Sequence, residues 1–422
     1  MDGRGRSGSM VAVGAALAAA EAAVLLLRPR ERRLAPAPID ARSYFTAAEI
    51  ERARAYQRPQ LALAAGSAAV DLALIAALVA RPPAALSRGR SRPVAAAAGA
   101  GAALSVALAA AGLPLAAVAR RRSRAVGLST QSWRGWAGDV GKTTAIGATF
   151  AGGVTAGAVA LMRRRGAGWW LPASGAVTAL GALLAGAAPI VLDPLFNRFD
   201  PLPAGPARDD VLELAGRAGV RVGEVFAVDA SRRTTSANAY VAGLGPTKRV
   251  VLFDTLLEHF TREEVRLVVA HELAHVRHRD VMRGLAFSAI VAPSATAAAA
   301  RLAAGLAPAG APPGPATVPA LALAAGLVVA PIGLVANQLS RRIEVRADLF
   351  SLRLTDAPEP FVSFERRIAV RNLADPAPPR WLTALLATHP PTVERIGLAV
   401  AFSAERPERP ERPAARPTPA GS

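Results

Sequence analysis

Cysteine is absent from the 422 residues. That excludes disulfide bonds, thiolate metal ligands and cysteine nucleophiles. Histidine is nearly as scarce, with five in the whole chain, so imidazole chemistry can be concentrated at very few places. Acidic residues are outnumbered, 31 against 50 lysines and arginines, for a formal charge of +19. Such an excess invites a nucleic-acid reading, yet no nucleic-acid-binding module accompanies it. The arginines instead gather at the ends of apolar runs, as in Arg120-Arg121-Arg122 and Arg163-Arg164-Arg165. That is the pattern of topogenic charges facing lipid headgroups, so membrane lipids are the expected partners and nucleic acid is not.

What the chain has in abundance is apolar length. Hydrophobic residues make up 52% of it, and seven runs are long enough to cross a bilayer: Met10–Leu27, Gln60–Ala80, Val94–Ala119, Thr143–Met162, Trp169–Leu192, Gly284–Leu306 and Val318–Ala336. The first is the weakest, being short and interrupted by Glu21. Without a convincing cleavage site it reads as a retained span rather than a signal peptide. Arg301 fits a snorkelling residue, and Asp71 a polar interior position. Eight lysines and arginines follow the first span and six the third. On the other side lie two at the N-terminus, four after the second span and three after the fourth. The excess puts the N-terminus outside and the segment after the fifth span in the cytoplasm. The bias towards Ala, Arg, Gly and Pro matches a GC-rich coding sequence, so a bacterial cell membrane is the expected location.

His271-Glu272-Leu273-Ala274-His275 is an H-E-x-x-H motif within the apolar stretch Val265 to His278. Residues four apart share a helix face, so both imidazoles can address one ion, with the Glu272 carboxylate beside them to take a proton from metal-bound water. A chance motif on a solvated face is the bland alternative; the half-buried setting counts against it, because unpaired His and Glu would be costly there. Glu344 supplies the third ligand of a His2Glu set, the pattern of catalytic zinc with a position open for water. Two spans separate the motif from Glu344, an even number, so both ends return to the same side.

Asn337, Ser340/Arg341, Glu344 and Asp348 recur at helical steps on a helix continuing from the seventh span. Asp348 can orient His271 or His275, shuttle protons, or simply pair with an arginine. Arg341 is either a topogenic charge or a site residue. His278 and His259 read as a helix-end and a surface residue. His389, in Thr388-His389-Pro390-Pro391, is a possible second proton donor or oxyanion stabiliser. Between spans five and six a helix is expected over Asp209 to Ala218 and a strand over Val225 to Val228. A β-hairpin is expected from Ser236 to Ala242 and Arg249 to Phe253 around Gly243-Leu244-Gly245-Pro246. Thr261 with Glu264 forms a capping box that opens the metal helix.

Several further motifs narrow the reading: Pro194-Leu195-Phe196-Asn197, Ser236-Ala237-Asn238-Ala239-Tyr240, Val251 through Leu257, and His389-Pro390-Pro391 with Arg395. With the metal motifs they make the chain, from about residue 60 to 400, resemble the type I CAAX prenyl proteases, polytopic membrane zinc endopeptidases. The resemblance implies zinc, one ion per chain, on His271, His275 and Glu344. Glu272 would be the general base, Asp348 and His389 would have site roles, and Asn238, Ala239 and Tyr240 would form a substrate-binding edge strand.

The expected fold is mainly α: seven membrane helices and a gluzincin-like protease region with a small β-hairpin or sheet. Its expected divisions are a membrane region at 1–192, a cytoplasmic metalloprotease segment at 193–280, a two-span hairpin at 281–336, a segment with the third ligand at 337–402, and a disordered tail at 403–422. The expected substrate is a peptide or protein, lipidated or otherwise membrane-associated. A membrane-protein quality-control metalloprotease and a non-catalytic transport or sensing protein are the competing readings, the latter disfavoured by an intact Glu272.

Overall fold

The computed structural model describes residues 3–31, 34–87, 91–243 and 248–405. It is mainly helical. Five helices come first: α1 (Gly3–Leu27), α2 (Ala47–Ala80), α3 (Pro93–Ala125), α4 (Trp133–Arg165) and α5 (Trp170–Val191). Then come β1 (Phe199–Pro201), α6 (Pro206–Arg217), β2 (Glu224–Val228), β3 (Ala239–Ala242) and β4 (Arg249–Phe253), followed by α7 (Asp254–His259) and α8 (Arg262–Arg277). The chain ends in α9 (Asp280–Leu306), α10 (Val318–Thr355), α11 (Pro358–Arg371), α12 (Arg380–Leu386) and α13 (Thr392–Glu405). Seven of these helices, α1 to α5, α9 and α10, are long and apolar enough to cross a membrane.

The membrane helices pack through small side chains. Ala12, Ala16, Ala20 and Ala23 form a buried ridge of α1 against Val291 and Ala298 of α9 and Val328 and Ile332 of α10. Between α3 and α4, a Cβ at Gly101 would collide with the Thr155 side chain and lie 2.8 Å from the Ala151 carbonyl. Lipid tails are as apolar as leucine, so close approach of backbones is what draws such helices together. Arg120, expected as a surface topogenic charge, is instead a buried strut. It donates to the Gln131 and Ser132 carbonyls at 2.5 and 3.2 Å and stacks on Trp133 and Trp136.

The extramembrane part has a conventional core. Leu214, Val250, Leu252, Leu256, Val269 and Leu273 are buried together, bringing α6, the sheet, α7 and α8 around one centre. The sheet order is β1-β2-β4-β3. The expected hairpin forms, β3 running antiparallel to β4 with Tyr240 opposite Val251, although its first strand begins at Ala239 rather than Ser236. β2 and β4 pair in parallel, and β1 adds an antiparallel edge. Helix α6 starts three residues before the expected Asp209, with Pro206 in its first turn, where no backbone donor is needed. The Thr261–Glu264 capping box opens α8, and Glu264, fully buried, also accepts from Arg367 and Ser363, tying α11 to α8.

The expected boundary at 336/337 falls inside α10, which runs unbroken from the seventh span into the protease region. Ser403 to Glu405 are helical rather than part of a tail. Residues 406–422 and the hairpin turn residues 244–247 lie outside the described residues.

Candidate metal centre

α8 presents His271 and His275 on one face, their Nε2 atoms 3.2 Å apart. α10 crosses it and brings Glu344 to 3.2 Å from His271 Nε2 and 3.7 Å from His275 Nε2. His271, His275 and Glu344 form a group able to hold one ion, their ligand atoms all within 4.8 Å of one another. Each imidazole is fixed from behind: Asp348 Oδ1 lies 2.9 Å from His271 Nδ1, and Asp280 Oδ2 lies 3.1 Å from His275 Nδ1. Carboxylates on both Nδ1 atoms leave the two Nε2 lone pairs converging on the same point.

Behind each carboxylate stands an arginine. Arg395 grips Asp348 with Nε at 2.8 Å and Nη2 at 2.6 Å, and reaches Glu365 at 2.7 Å with Nη1. Asp280 accepts from Arg283 at 2.7 Å and from Arg346. Burial works against a charged His271, but Asp348 and Glu344 outweigh it and push its pKa up to about 10. Glu344 Oε2 is buried without a hydrogen-bond donor although imidazole nitrogens surround it. That orphaned oxygen and the converging nitrogens fit the donor set of zinc.

Glu272 lies between the histidines in sequence. Burial pushes its carboxyl above the usual range, while His271, His275 and the Val241 amide pull it down. His389 arrives from the loop after α12, its Nε2 3.2 Å from Glu344 Oε2. His278 is not in the cluster: its Nδ1 donates to the Ala274 carbonyl, and its ring meets Phe350 edge-on. His259 sits at the exposed end of α7 beside Glu258.

Asn238, Ala239 and Tyr240 enter β3, the free edge of the sheet, which packs along α8. Phe253 N–H donates to the Asn238 carbonyl, so residues 238 and 240 face β4 while Ala239 and Val241 point away from it. Of their outward amides, Ala239 N–H donates to Asn238 Oδ1 at 2.9 Å and Val241 N–H to Glu272, which leaves their carbonyls facing out. Tyr240 donates its hydroxyl to Asp193 at 3.3 Å; burial and that carboxylate hold its pKa well above normal.

Asp280, Arg346 and Glu365 were not anticipated from sequence, and Arg395 was noted without a role. The clue to Arg395 was its place three residues after Thr392, on the helix that follows the His389 loop. Asp280 carried no periodic signal, because the backbone reverses between the metal helix and α9: Arg279 has φ 55°.

Seven membrane helices joined to a metal cage on an H-E-x-x-H helix define a membrane-embedded metallopeptidase architecture. Residues 201–401 match the peptidase family M48 profile, and residues 29–198 match the CAAX prenyl protease N-terminal profile of five membrane helices. The chain belongs to peptidase family M48, in its CAAX prenyl protease branch.

Among similar proteins, an uncharacterized metalloprotease, YhfN, of Bacillus subtilis is 29% identical over 56% of this chain and 57% of its own. A CAAX prenyl protease 1 homolog of Oryza sativa is 30% identical over 49% and 50%. CAAX prenyl protease 1 of Saccharomyces cerevisiae is 38% identical over 24% and 22%. The alignments thus span about half the length of the first two relatives. The crystal structure of S. mikatae Ste24p superposes with a TM-score of 0.74, covering 93% of this chain and 97% of that one at 18% identity; the fold is shared.

Proposed function

We propose that this chain is a zinc metalloendopeptidase of the membrane that hydrolyses peptide bonds in membrane-associated or C-terminal, CAAX-like peptides. One observation carries the reading: two imidazoles whose Nδ1 atoms are already committed to carboxylates aim their Nε2 atoms at Glu344, one of whose oxygens is buried without a donor. His271, His275 and Glu344 would hold the ion. Bound zinc supplies Lewis acidity toward a peptide carbonyl and toward water.

The remaining chemistry belongs to the chain. Glu272, with its pKa raised by burial, takes the proton from the attacking water and returns it to the departing amine. Asp348 keeps His271 in the tautomer that offers Nε2. His389, beside Glu344, steadies the oxyanion. The Ala239 and Val241 carbonyls, on the outer side of β3, pair with an extended substrate laid along the strand, with Asn238 to Tyr240 setting its register. The arginine distribution supports a site on the cytoplasmic face, and the composition bias supports a bacterial cell membrane.

The test is paired metal analysis and cleavage by purified wild type and Glu272→Gln, with a farnesylated CAAX peptide and its unprenylated counterpart. Zinc near one per chain in both proteins is expected. Cleavage should fall by about 10²–10⁴-fold in the variant. A Glu272→Gln protein that keeps zinc and full activity overturns the mechanism. Equal cleavage of both peptides removes the lipid from the substrate description.

A further inference from the structure

We infer that Asn337 and Arg341 are positioning residues that clamp the carbonyl end of α12 and thereby hold His389 over Glu344. The inference rests on the peptidase reading. The last carbonyls of any helix lack intrahelical partners. Here they are taken up from outside: Arg341 donates to the Ala387 carbonyl at 2.6 Å and the Ala384 carbonyl at 3.0 Å, and Asn337 donates to Leu385 at 2.9 Å. Both donors lie on α10, one turn apart, and Arg341 precedes Glu344 by three residues. One helix face therefore carries both the metal-facing carboxylate and the clamp.

α12 needs such a clamp because it has no buried residue. Cavities flank it on both sides. One, of about 570 Å³, is lined by Arg341, Leu385 and Pro390; the other, of about 540 Å³, by Leu382, Ala387 and His389. A seven-residue helix with no buried residue, standing between two open clefts, is weakly placed by apolar packing. The loop from α12 to α13 is held at both ends: at the α13 end Val393 N–H donates to the Pro376 carbonyl, and at the α12 end Arg341 and Asn337 take the last carbonyls. His389 follows the last clamped carbonyl by two residues, with Nδ1 2.9 Å from the Thr388 hydroxyl and Nε2 3.2 Å from Glu344. Both terminal nitrogens of Arg341 are committed to carbonyls, which settles its role against a headgroup-facing charge.

The absence of native cysteine makes the test clean. Spin labels at Trp381→Cys, on exposed α12, and Glu359→Cys, on α11, report the placement of α12 in the full-length protein without reference to activity. The distance distribution should be narrow in the otherwise wild-type chain and broad with Arg341→Gln or Asn337→Ala. In unlabelled protein, Arg341→Gln should lower kcat about tenfold or more with KM and zinc content unchanged. Added to His389→Ala, it should lower kcat by less than about twofold further, because both changes remove the same placed group. An unbroadened distribution, independent multiplication of the two effects, or loss of zinc overturns the clamp. If the distribution broadens while wild type cleaves no peptide, the clamp stands and the peptidase reading falls. Should Arg341→Gln fail to fold, Asn337→Ala carries the same comparisons.

Discussion

His271 and His275 sit one turn apart on the same helix, yet the carboxylates behind them are built differently. Asp348 has no exposed surface and meets a single arginine through two nitrogens, and that arginine is shared with a second buried carboxylate, Glu365. Asp280 opens α9, a candidate membrane span, and divides itself between Arg283 and Arg346, one of them 21% exposed. One flank is a closed chain of desolvated charges that ties the upper part of α10 to α11 and α13. The other fastens the cage to the membrane helices, with its acidic residue at a helix N-terminus that favours negative charge. A cage of two like ligands can thus be held by a rigid interior on one side and by the membrane architecture on the other.

Removing a carboxylate from each flank separates the two. Asp348→Asn should show the largest effect: zinc affinity lower by about 100-fold, and stability lower by about 3–5 kcal/mol because Arg395 is left buried without its main counter-charge. Chelator competition and thermal inactivation in detergent measure the two losses. Asp280→Asn should weaken zinc by about 10-fold, the lower end of that range, with a smaller loss of stability because Arg283 can turn towards solvent or headgroups. If Asp280→Asn proves the more damaging, the membrane flank is the stiffer one and the contrast inverts. Glu365→Gln should do least. Burial pushes the Glu365 carboxyl up to about 7 against the pull of Arg395, so near neutrality it is only partly ionised and a neutral amide removes less charge there than at Asp348. The expected loss is below about 1 kcal/mol, in the range of one ordinary hydrogen bond.

Much of this was legible in the sequence because it follows from short-range rules. Span length gave the seven helices. Four-residue spacing put His271 with His275, and Glu344 with Asp348, on single helix faces. An even number of crossings allowed α8 and α10 to meet. Thr261 and Glu264 marked the start of the metal helix. What stayed hidden depends on breaks in periodicity or on tertiary contact. Asp280 follows a left-handed residue at Arg279, so neither helix register predicts where its side chain goes. β1 is three residues long and ends in Pro201, too short to show alternation and tolerable only at a sheet edge. Arg395 reaches Asp348 from a helix 47 positions away, and only the packed structure selects it from the chain's many arginines.

Helix α10 runs from Val318 to Thr355 with Pro331 inside it, and at 1.5 Å per residue its 38 residues measure about 57 Å along the helix path. The lower part is seated in lipid and the upper part carries Glu344. The height of the reactive centre above the bilayer is therefore set by the hydrophobic register of a single helix. A thicker or thinner bilayer that tilts the lower part swings the upper part with it, as a lever turns about its fulcrum.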